Sequence, residues 1–337
     1  MKIEKNISLQ PYNSFGFDSI AENLIRVVSV KDVEQVIANK WVPIKILGGG
    51  SNILLTSSLE GYLLKNEITG IKIIEENQHQ VFVQVGSGEN WHSFVLWCLC
   101  NNFGGLENLS LIPGSVGAAP IQNIGAYGVE QKSCFHHLEA IHLLTGERKS
   151  FSPIDCQFGY RDSVFKQKYK NQYFITSVTY VMQKSNHELS LQYGEIQTVL
   201  EAKNIINPTI RDVSNAVIQI RQSKLPNPKE IGNAGSFFKN PVIDKTHLET
   251  LKKEYPNLPS YATIEEGKIK IPAGWLIDHL GYKGFSVNNV GVHKNQALVL
   301  VHYKNGQGVE ILKLSKQIQN AVKHTFNIDL EPEVNIW

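Results

Sequence analysis

Two glycine-rich stretches have the composition of loops that hold a phosphate-bearing ligand. The longer one, residues 112–128, reads IPGSVGAAPIQNIGAYG, with glycine at positions 114, 117, 125 and 128. Its apolar residues fit neither the helix period nor the strand period, so we predict an irregular loop, partly at positive φ. Successive backbone N–H groups in such a loop can form an anion site that suits a diphosphate. A tight turn packed on a core is the alternative that the glycines alone leave open.

The shorter stretch, GGGSN at residues 48–52, follows the strand-like segment IKIL at 44–47. A Rossmann fingerprint needs a strand, G-x-G-x-x-G and then a helix. Here the glycines lead into the apolar segment ILL at 53–55, and the motif spacing is absent. The stretch therefore predicts a backbone cradle for a phosphate outside a Rossmann fold, with a glycine-rich hairpin as the alternative.

Three further side chains could carry chemistry, although each has a structural explanation when taken alone. Ser236, in GNAGSFFKNP, could cap a turn, and its surroundings are not the G-x-S-x-G of a hydrolase. Arg161, in FGYRDS, could form a surface ion pair with the neighbouring Asp162. Glu333, in LEPEVNIW, is predicted on an apolar C-terminal strand, where a carboxylate needs a partner or a function.

The composition is that of a globular protein of two or three compact units. The chain has 337 residues, of which 42% are hydrophobic and 19% charged, and a formal net charge of +2. The sequence contains no basic stripe with interleaved aromatic residues, the pattern that would indicate a nucleic-acid surface. It also contains no apolar run long enough for a membrane span or a signal peptide. The four cysteines fit no zinc spacing, so we expect reduced, mostly buried thiols and a soluble, cytoplasmic protein.

The hydrophobic periodicity predicts a mixture of helices and strands. Helices are expected over residues 31–40, 90–100, 209–222, 245–255 and 308–326. Strands are expected over residues 24–28, 44–47, 53–55, 62–64, 71–74, 81–85, 138–144, 148–151, 174–182, 189–191 and 297–303. The segment LPNPK at 225–229 carries two prolines and marks a domain junction.

The ordered set of motifs resembles the UDP-N-acetylenolpyruvoylglucosamine reductase (MurB) family. The matching segments are NSFG (13–16), LGGGSN (47–52), GSGENW (86–91), GLENL (105–109), IPGSVGAAPIQNIGAYG (112–128), FGYRDS (158–163), GNAGSFFKNP (232–241), AGWLID (273–278) and LEPEV (330–334). Each is weak alone, but together they run in family order from about residue 12 to the end of the chain.

The resemblance implies an α+β fold with a two-subdomain FAD module of the vanillyl-alcohol-oxidase (PCMH) type and a C-terminal α+β substrate domain. Subdomain 1 is expected at residues 1–70, subdomain 2 at 71–222 and the substrate domain at 223–337, with the PCMH-type module at about 17–188. The cradle at 48–52 holds no His or Cys, so FAD is expected to be non-covalent. In this family NADPH reduces FAD, and hydride then passes from the flavin to the enolpyruvyl ether of the sugar nucleotide. The protein is expected to be a monomer acting on small molecules in peptidoglycan precursor synthesis.

The family pattern also implies site residues. Ser236 is the proton donor, and Arg161 and Glu333 stabilise the enolic intermediate. Cofactor contacts are implied for Gly48, Gly49, Gly50, Ser51, Asn52, Gly114, Ser115, Gly117, Ala118, Ala119, Ile121, Asn123 and Gly125. Substrate contacts are implied for Tyr127, Tyr193 (in the mobile tyrosine loop of one family branch), Lys224, Asn240, Tyr261 and Gln296.

One departure concerns the flavin loop, because Ala118 and Ala119 stand where some relatives have serines. Backbone N–H groups would have to replace the lost hydroxyls there. Two other functions stay open: a binding protein that has lost turnover, and an oxidase of small alcohols on the same flavin scaffold. Filled Ser, Arg and Glu positions argue against the first, and the matching motifs of residues 225–337 argue against the second.

Overall fold

The computed structural model of the chain describes residues 1–263 and 265–337. It divides into two compact units. Unit 1 comprises residues 1–7, 21–50 and 59–223, and unit 2 comprises residues 8–20, 51–58 and 224–337. Two N-terminal segments therefore fold with the C-terminal third of the chain.

The strands are β1 (Ile3–Ser8), β2 (Ile20–Val27), β3 (Ile44–Leu47), β4 (Ile53–Leu54), β5 (Leu59–Asn66), β6 (Ile71–Glu76), β7 (Gln80–Gly86), β8 (Gly125–Ala126), β9 (Val129–Glu130), β10 (Phe135–His142), β11 (Arg148–Phe151), β12 (Tyr173–Gln183), β13 (Gly232–Ser236), β14 (Val242–Asp244), β15 (Tyr261–Ala262), β16 (Lys268–Lys270), β17 (Ser286–Val287), β18 (Val290–Val292), β19 (Val299–His302) and β20 (Asn335–Ile336).

The α-helices are α1 (Val30–Ala38), α2 (Trp91–Cys100), α3 (Pro153–Cys156), α4 (Ile196–Ala202), α5 (Ile210–Lys224), α6 (Lys245–Glu254), α7 (Ala273–His279) and α8 (Gly308–Phe326). Short 3₁₀ helices occur at Gln10–Tyr12, Glu107–Leu109, Val116–Ala118 and Gln131–Ser133. Among the described residues, no helix is long and apolar enough to cross a membrane.

Unit 1 contains two main sheets of different construction. One has the strand order β1-β2-β5-β3, in which β5 runs parallel to both β2 and β3. The other is antiparallel, with the order β11-β10-β12-β7-β6. Its central strand β12 is buried along most of its length, as expected of a strand with neighbours on both edges and packing on its faces.

The core of unit 1 forms where α2 packs on the antiparallel sheet. Trp91 and Phe94 of α2 lie against Tyr180 of β12, and all three side chains are fully buried. The helix begins where the Asn90 side chain accepts a hydrogen bond from the N–H of Ser93, a standard N-cap. This end of α2 follows the loop at residues 86–90. The packed core therefore fixes the position of that loop, and the glycine loop of residues 112–128 forms backbone hydrogen bonds with it.

Unit 2 is built around α8 and the sheet β13-β19-β18-β17. A smaller sheet has the order β14-β16-β15, and the last strand β20 pairs in parallel with β4. Buried residues along one face of α8, among them Ile311, Ile318 and Phe326, join a single cluster with residues of the sheet and of α7. Gly308 must be glycine here, because a Cβ would lie 1.7 Å from the carbonyl oxygen of Leu55.

Most of the predicted elements are confirmed, including the five helices, and α8 has the predicted bounds. The buried thiols are also confirmed for Cys98, Cys134 and Cys156, whereas Cys100 is exposed; all four are free. Sequence periodicity missed β1, α4 and the strand β13 that carries Ser236.

Two predicted strands are wrong. Residues 189–191 are irregular, because Leu189 and Leu191 pack on the cluster formed by α4 and α5 and the Ser190 carbonyl accepts from a side chain. Glu333 lies outside any strand, since β20 covers only Asn335–Ile336. Pro332, which has no N–H to donate to a ladder, precedes Glu333. The predicted domain boundaries at 70/71 and 222/223 stay predictions.

Candidate active site

In unit 1 the glycine cradle of residues 48–50 touches the glycine loop of residues 112–128 backbone to backbone. A Cβ on Gly49 would lie 2.7 Å from Gly114 Cα, and a Cβ on Gly48 would lie 2.6 Å from Ser115 Oγ. Gly50 and Gly114 have φ values of 67° and 115°, where side chains are strained. The two loops therefore need glycine for close approach as well as for conformation, which favours the cradle prediction over a simple hairpin.

Lys65 supports the cradle from β5. Its Nζ donates a hydrogen bond to the Gly48 carbonyl oxygen at 2.6 Å, and burial lowers the pKa of its ammonium group. A charge-assisted bond of this kind is stronger than a neutral one, so Lys65 fixes the orientation of the first peptide of the cradle.

The first half of the glycine loop is a 3₁₀ turn packed against residue 87. Gly117 N–H donates to the Ser87 carbonyl at 2.8 Å, and a Cβ on Gly117 would lie 2.5 Å from Ser87 Cβ. The N–H groups of Ala118 and Ala119 donate back into the turn, to Ser115 and Val116 carbonyls. These two N–H groups thus have partners within the turn, and the expectation that backbone N–H groups of the loop take over from the missing hydroxyls stays a prediction.

Ser115 offers a different hydroxyl in the same place. Its side chain is buried, and among the described residues its Oγ has no hydrogen-bond partner. A buried hydroxyl without a partner is costly, so Ser115 Oγ is suited to a ligand group that enters the cradle beside Gly48.

The second half of the glycine loop is anchored on the FGYRDS segment. Asn123, fully buried with φ of 43°, donates to the Gly159 carbonyl at 3.0 Å and to Glu130 Oε2 at 2.9 Å. Ser163 Oγ donates to the Ile121 carbonyl at 2.6 Å. The amide of Asn123 is thus used within the protein, so at this position only the backbone is available to a cofactor.

We predict that Asn123→Ala lowers the free energy of unfolding by about 1–3 kcal/mol, because it leaves buried polar groups without their donor. Chemical denaturation of wild type and variant measures the difference. Asn101→Ala is the matched control, since its amide donates to a carbonyl at an exposed position. Equal losses in the two variants would contradict the anchoring role of Asn123.

Arg161 is tied to the same loop. Its Nη2 donates to the Gly125 carbonyl at 2.5 Å, and its guanidinium lies 5.3 Å from the centre of the Tyr160 ring. It has φ of 54°, uncommon for a non-glycine residue. The carboxylate of the neighbouring Asp162 accepts hydrogen bonds from Gln167 Nε2 and from the N–H of Ser163, each at 2.9 Å.

Tyr127 and Tyr193 lie next to each other in unit 1. Tyr127 has φ of 49°, and burial raises the pKa of its hydroxyl. A Cβ on Gly194 would lie 3.5 Å from Tyr127 Cδ1, and one on Gly128 would lie 3.2 Å from Tyr193 Cβ. Tyr193 itself is 53% exposed, so one predicted substrate contact is half-buried and the other faces solvent.

His92 links α2 to the start of the glycine loop. Its Nδ1 accepts from the Leu111 N–H at 2.9 Å. Burial lowers the pKa of its imidazole, and the nearby positive charge of Arg221 lowers it further. Both effects favour the neutral form of His92, in which Nδ1 can accept.

This pKa shift predicts a loss of stability in acid. The unfolded chain binds a proton at His92 below a pKa of about 6.5, whereas the folded chain resists it, so stability falls as pH drops below that value and levels off below the folded pKa. In His92→Gln, the fall in Tm between pH 7.5 and pH 5.5 should be smaller than in wild type. Parallel curves of Tm against pH would contradict this prediction.

Ser236 and Glu333 are neighbours in unit 2. Ser236 ends β13, paired with Val299 of β19, after Gly235 at φ of 71°. The N–H of Glu333 donates to the carbonyl of Phe237 at 2.8 Å. The residue after the serine therefore holds the backbone of the glutamate, and both side chains are partly buried.

Asn52 fixes the same C-terminal segment. Its Nδ2 donates to the Glu333 carbonyl at 3.2 Å, and its own carbonyl accepts from the N–H of Asn335 at 3.0 Å. Ser51, the residue before it, also belongs to unit 2 and is partly buried. Asn52 therefore stabilises the C-terminal segment through these two hydrogen bonds, whether or not it also contacts a cofactor.

The remaining predicted substrate contacts occupy separate places. Asn240 Oδ1 accepts from the N–H of Ala273 at 2.9 Å, at the start of α7. Gln296 lies in the turn between β18 and β19, and a Cβ on Gly274 of α7 would lie 3.7 Å from its Oε1. Tyr261 in β15 is 53% exposed, and Lys224 is the exposed last residue of α5.

Two residues that support the site were missed by sequence reasoning. Lys65 follows an apolar strand pattern and gave no signal, because its bond to Gly48 joins positions that are distant in sequence. Asn108 lies in GLENL, a segment that contributes to the family resemblance but for which the sequence predicts no role of any single residue. Its side chain is 1% exposed, and a fully buried amide is an unusual feature.

Comparisons with known proteins identify two domains and the family of the chain. Residues 22–150 match the "FAD binding domain" family, and residues 227–337 match the "UDP-N-acetylenolpyruvoylglucosamine reductase, C-terminal domain" family. The chain is 50% identical, over all of both chains, to the UDP-N-acetylenolpyruvoylglucosamine reductase of Flavobacterium johnsoniae. It is 45% identical to the one of Amoebophilus asiaticus, over 100% of this chain and 99% of the relative.

A solved structure supports the fold. The UDP-N-acetylenolpyruvylglucosamine reductase of Thermus caldophilus is similar with a TM-score of 0.69 at 22% identity, over 100% of this chain and 99% of that one. The predicted α+β class, an FAD-binding module followed by a C-terminal substrate domain, is confirmed by these matches. The chain belongs to the UDP-N-acetylenolpyruvoylglucosamine reductase family of FAD-binding oxidoreductases.

Proposed function

We propose that the chain catalyses NADPH-dependent reduction of UDP-N-acetylglucosamine enolpyruvate to UDP-N-acetylmuramate, in peptidoglycan precursor synthesis. The observation that carries the proposal furthest is the attachment of the Arg161 guanidinium to the glycine loop through Gly125. A cation held on a cofactor loop suits a substrate that acquires negative charge during the reaction. Cytoplasmic location, action as a monomer and the division into parts at 1–70, 71–222 and 223–337 belong to the same proposal.

The residues of the cradle fit FAD. A Cβ on Gly49 would lie 2.7 Å from Gly114 Cα, and Ser115 Oγ is buried with no hydrogen-bond partner in the part of the chain that the structure describes. Backbone N–H groups of the two loops and this hydroxyl would bind the diphosphate. When bound, FAD would supply the hydride chemistry between NADPH and the sugar nucleotide. Its binding would be non-covalent, since residues 48–52 contain no His or Cys.

The roles of the three polar residues follow from their chemistry. Ser236 Oγ would donate a proton to the carbon next to the substrate carboxylate. A serine hydroxyl is a weak acid in water, but it need only protonate a carbanion-like centre that is far more basic. Arg161 would bind the carboxylate as charge develops there, and Glu333 would stabilise the enolic form. The Phe237 carbonyl, bonded to Glu333 N–H, holds the serine and glutamate segments together within unit 2.

The substrate contacts divide by their position. Tyr127 and Tyr193, adjacent in unit 1, would contact the sugar nucleotide, with Tyr193 over the diphosphate. The other proposed contacts belong to unit 2: Lys224, Asn240, Tyr261 and Gln296. Cation and hydroxyl donors of this kind are typical of diphosphate recognition.

Steady-state kinetics test this function. Continuous oxidation of NADPH under anaerobic conditions, beyond the one equivalent that reduces the bound FAD, should require the sugar nucleotide as electron acceptor. Since NADP⁺ is expected to leave before the sugar nucleotide binds, double-reciprocal plots of rate against NADPH concentration, at several fixed concentrations of the sugar nucleotide, should be parallel. Intersecting lines would contradict the alternating order, and continuous anaerobic oxidation of NADPH without the sugar nucleotide would contradict the reductase function.

A further inference from the structure

We propose that Asn108 is a positioning residue that clamps the tyrosine-bearing segment 188–195 onto the glycine loop and thereby sets the affinity for the sugar nucleotide. Its side-chain amide donates to the Tyr127 carbonyl at 3.0 Å and to the Ser190 carbonyl at 2.8 Å. An asparagine amide carries two N–H donors, so a single NH₂ group satisfies both carbonyls. These two hydrogen bonds join the glycine loop to a segment more than sixty residues later in the chain.

The clamp stands on a rigid base. Asn108 lies in the 3₁₀ turn Glu107–Leu109, where the Gly105 N–H donates to Glu107 Oε2 at 2.7 Å. On the other side of the turn, Ser110 Oγ lies 2.7 Å from Ser214 Oγ of α5. Because both flanks are fixed by buried or partly buried hydrogen bonds, the Asn108 side chain is held in one place.

The segment that it holds is only partly buried. Leu189 and Leu191 pack partly buried against the α4–α5 cluster, whereas Tyr193 is 53% exposed and the backbone there forms no strand. Segments with few buried contacts open at low free-energy cost. The hydrogen bond at Ser190 therefore lowers the fraction of time for which the segment is separated from Tyr127.

The part of the inference that concerns affinity rests on the proposed function, in which Tyr127 and Tyr193 contact the sugar nucleotide. If only the clamped form binds, the apparent affinity falls in proportion to the population of that form. Loss of the clamp should therefore raise KM for the sugar nucleotide. It should leave reduction of the flavin by NADPH at the wild-type rate.

Asn108→Leu tests the clamp, because leucine is similar in size and has no donor. Chymotrypsin cleavage after Tyr193 in the FAD-loaded protein should become at least about tenfold faster, and KM for the sugar nucleotide should rise by about tenfold with kcat changed less than about threefold. Asn108→Ala, which removes the amide and adds neither bulk nor charge, should behave in the same way. It provides the test if the leucine variant does not fold.

Thr176→Val is the matched control. It removes a partly buried hydrogen bond of the antiparallel sheet, from Thr176 Oγ1 to the Glu139 carbonyl at 3.1 Å, without touching Asn108, its turn or either clamped carbonyl. Tm should therefore fall while cleavage after Tyr193 and KM stay within about twofold of wild type. Unchanged cleavage or unchanged KM in both Asn108 variants would overturn the proposal. Failure of the proposed function would be seen separately, as wild-type protein that does not oxidise NADPH with the sugar nucleotide.

Discussion

Ser236→Ala should leave the reduction of bound FAD by NADPH nearly unchanged while slowing the reoxidation of reduced enzyme by the sugar nucleotide by about 10²–10⁴-fold, the usual range for loss of a general acid. The physical reason is that the serine hydroxyl is proposed to act only on the second substrate. Stopped-flow absorbance of the flavin, recorded anaerobically for each half-reaction, measures the two rates separately.

FAD retention and the rate of the first half-reaction show whether the Ser236→Ala variant is correctly folded. Ser236 pairs with Val299 in β13–β19 through the backbone, and alanine keeps that pairing, so FAD retention and the first half-reaction should match wild type. Equal slowing of both half-reactions would show that Ser236 acts through the structure of unit 2 and not as the proton donor.

Gly49→Ala should weaken FAD binding by about 10- to 100-fold, corresponding to about 1–3 kcal/mol of overpacking. The added Cβ would lie 2.7 Å from Gly114 Cα and 3.0 Å from Gly114 C. Since both are backbone atoms, one of the two loops has to move. Equilibrium dialysis of FAD, followed by flavin fluorescence, gives the dissociation constant.

Gly274→Ala is the matched control for the added methyl group. Its Cβ would meet only side-chain atoms at 3.5 Å or more, inside the helix α7, where alanine is favoured over glycine. FAD affinity should stay at the wild-type value. If Gly49→Ala also bound FAD normally, the two loops would not form the cofactor cradle.

The sequence predicted the helices well because their apolar faces repeat along the chain itself. For α8, buried residues recur every three or four positions and Glu310 completes a capping box with Gln307, so all the information is local. The strand prediction at 189–191 failed because alternating leucines mark burial as well as strand pairing, and here Leu189 and Leu191 pack on helices.

The sequence predicted those parts of the candidate site in which the backbone conformation or a close approach of two loops requires glycine. Gly48 and Gly49 must lack a side chain because two loops pass closely, and Gly114 has a φ of 115°, which favours glycine. The sequence shows all three requirements directly as glycine. The partners of Asn123 and the role of Lys65 were not predictable, since both depend on hydrogen bonds between residues distant in sequence. At Ala118 and Ala119 the sequence did not show that both N–H groups donate back into the turn, to the carbonyls of Ser115 and Val116.

The central claim is that this chain passes electrons from NADPH through FAD to the enolpyruvyl group of the sugar nucleotide. The most direct test is an anaerobic titration of the NADPH-reduced, nucleotide-free wild-type protein with UDP-N-acetylglucosamine enolpyruvate. We predict that one equivalent restores the oxidised flavin spectrum and yields one equivalent of UDP-N-acetylmuramate. A flavin that stays bleached after this addition, yet recovers when oxygen is admitted, would contradict the claim.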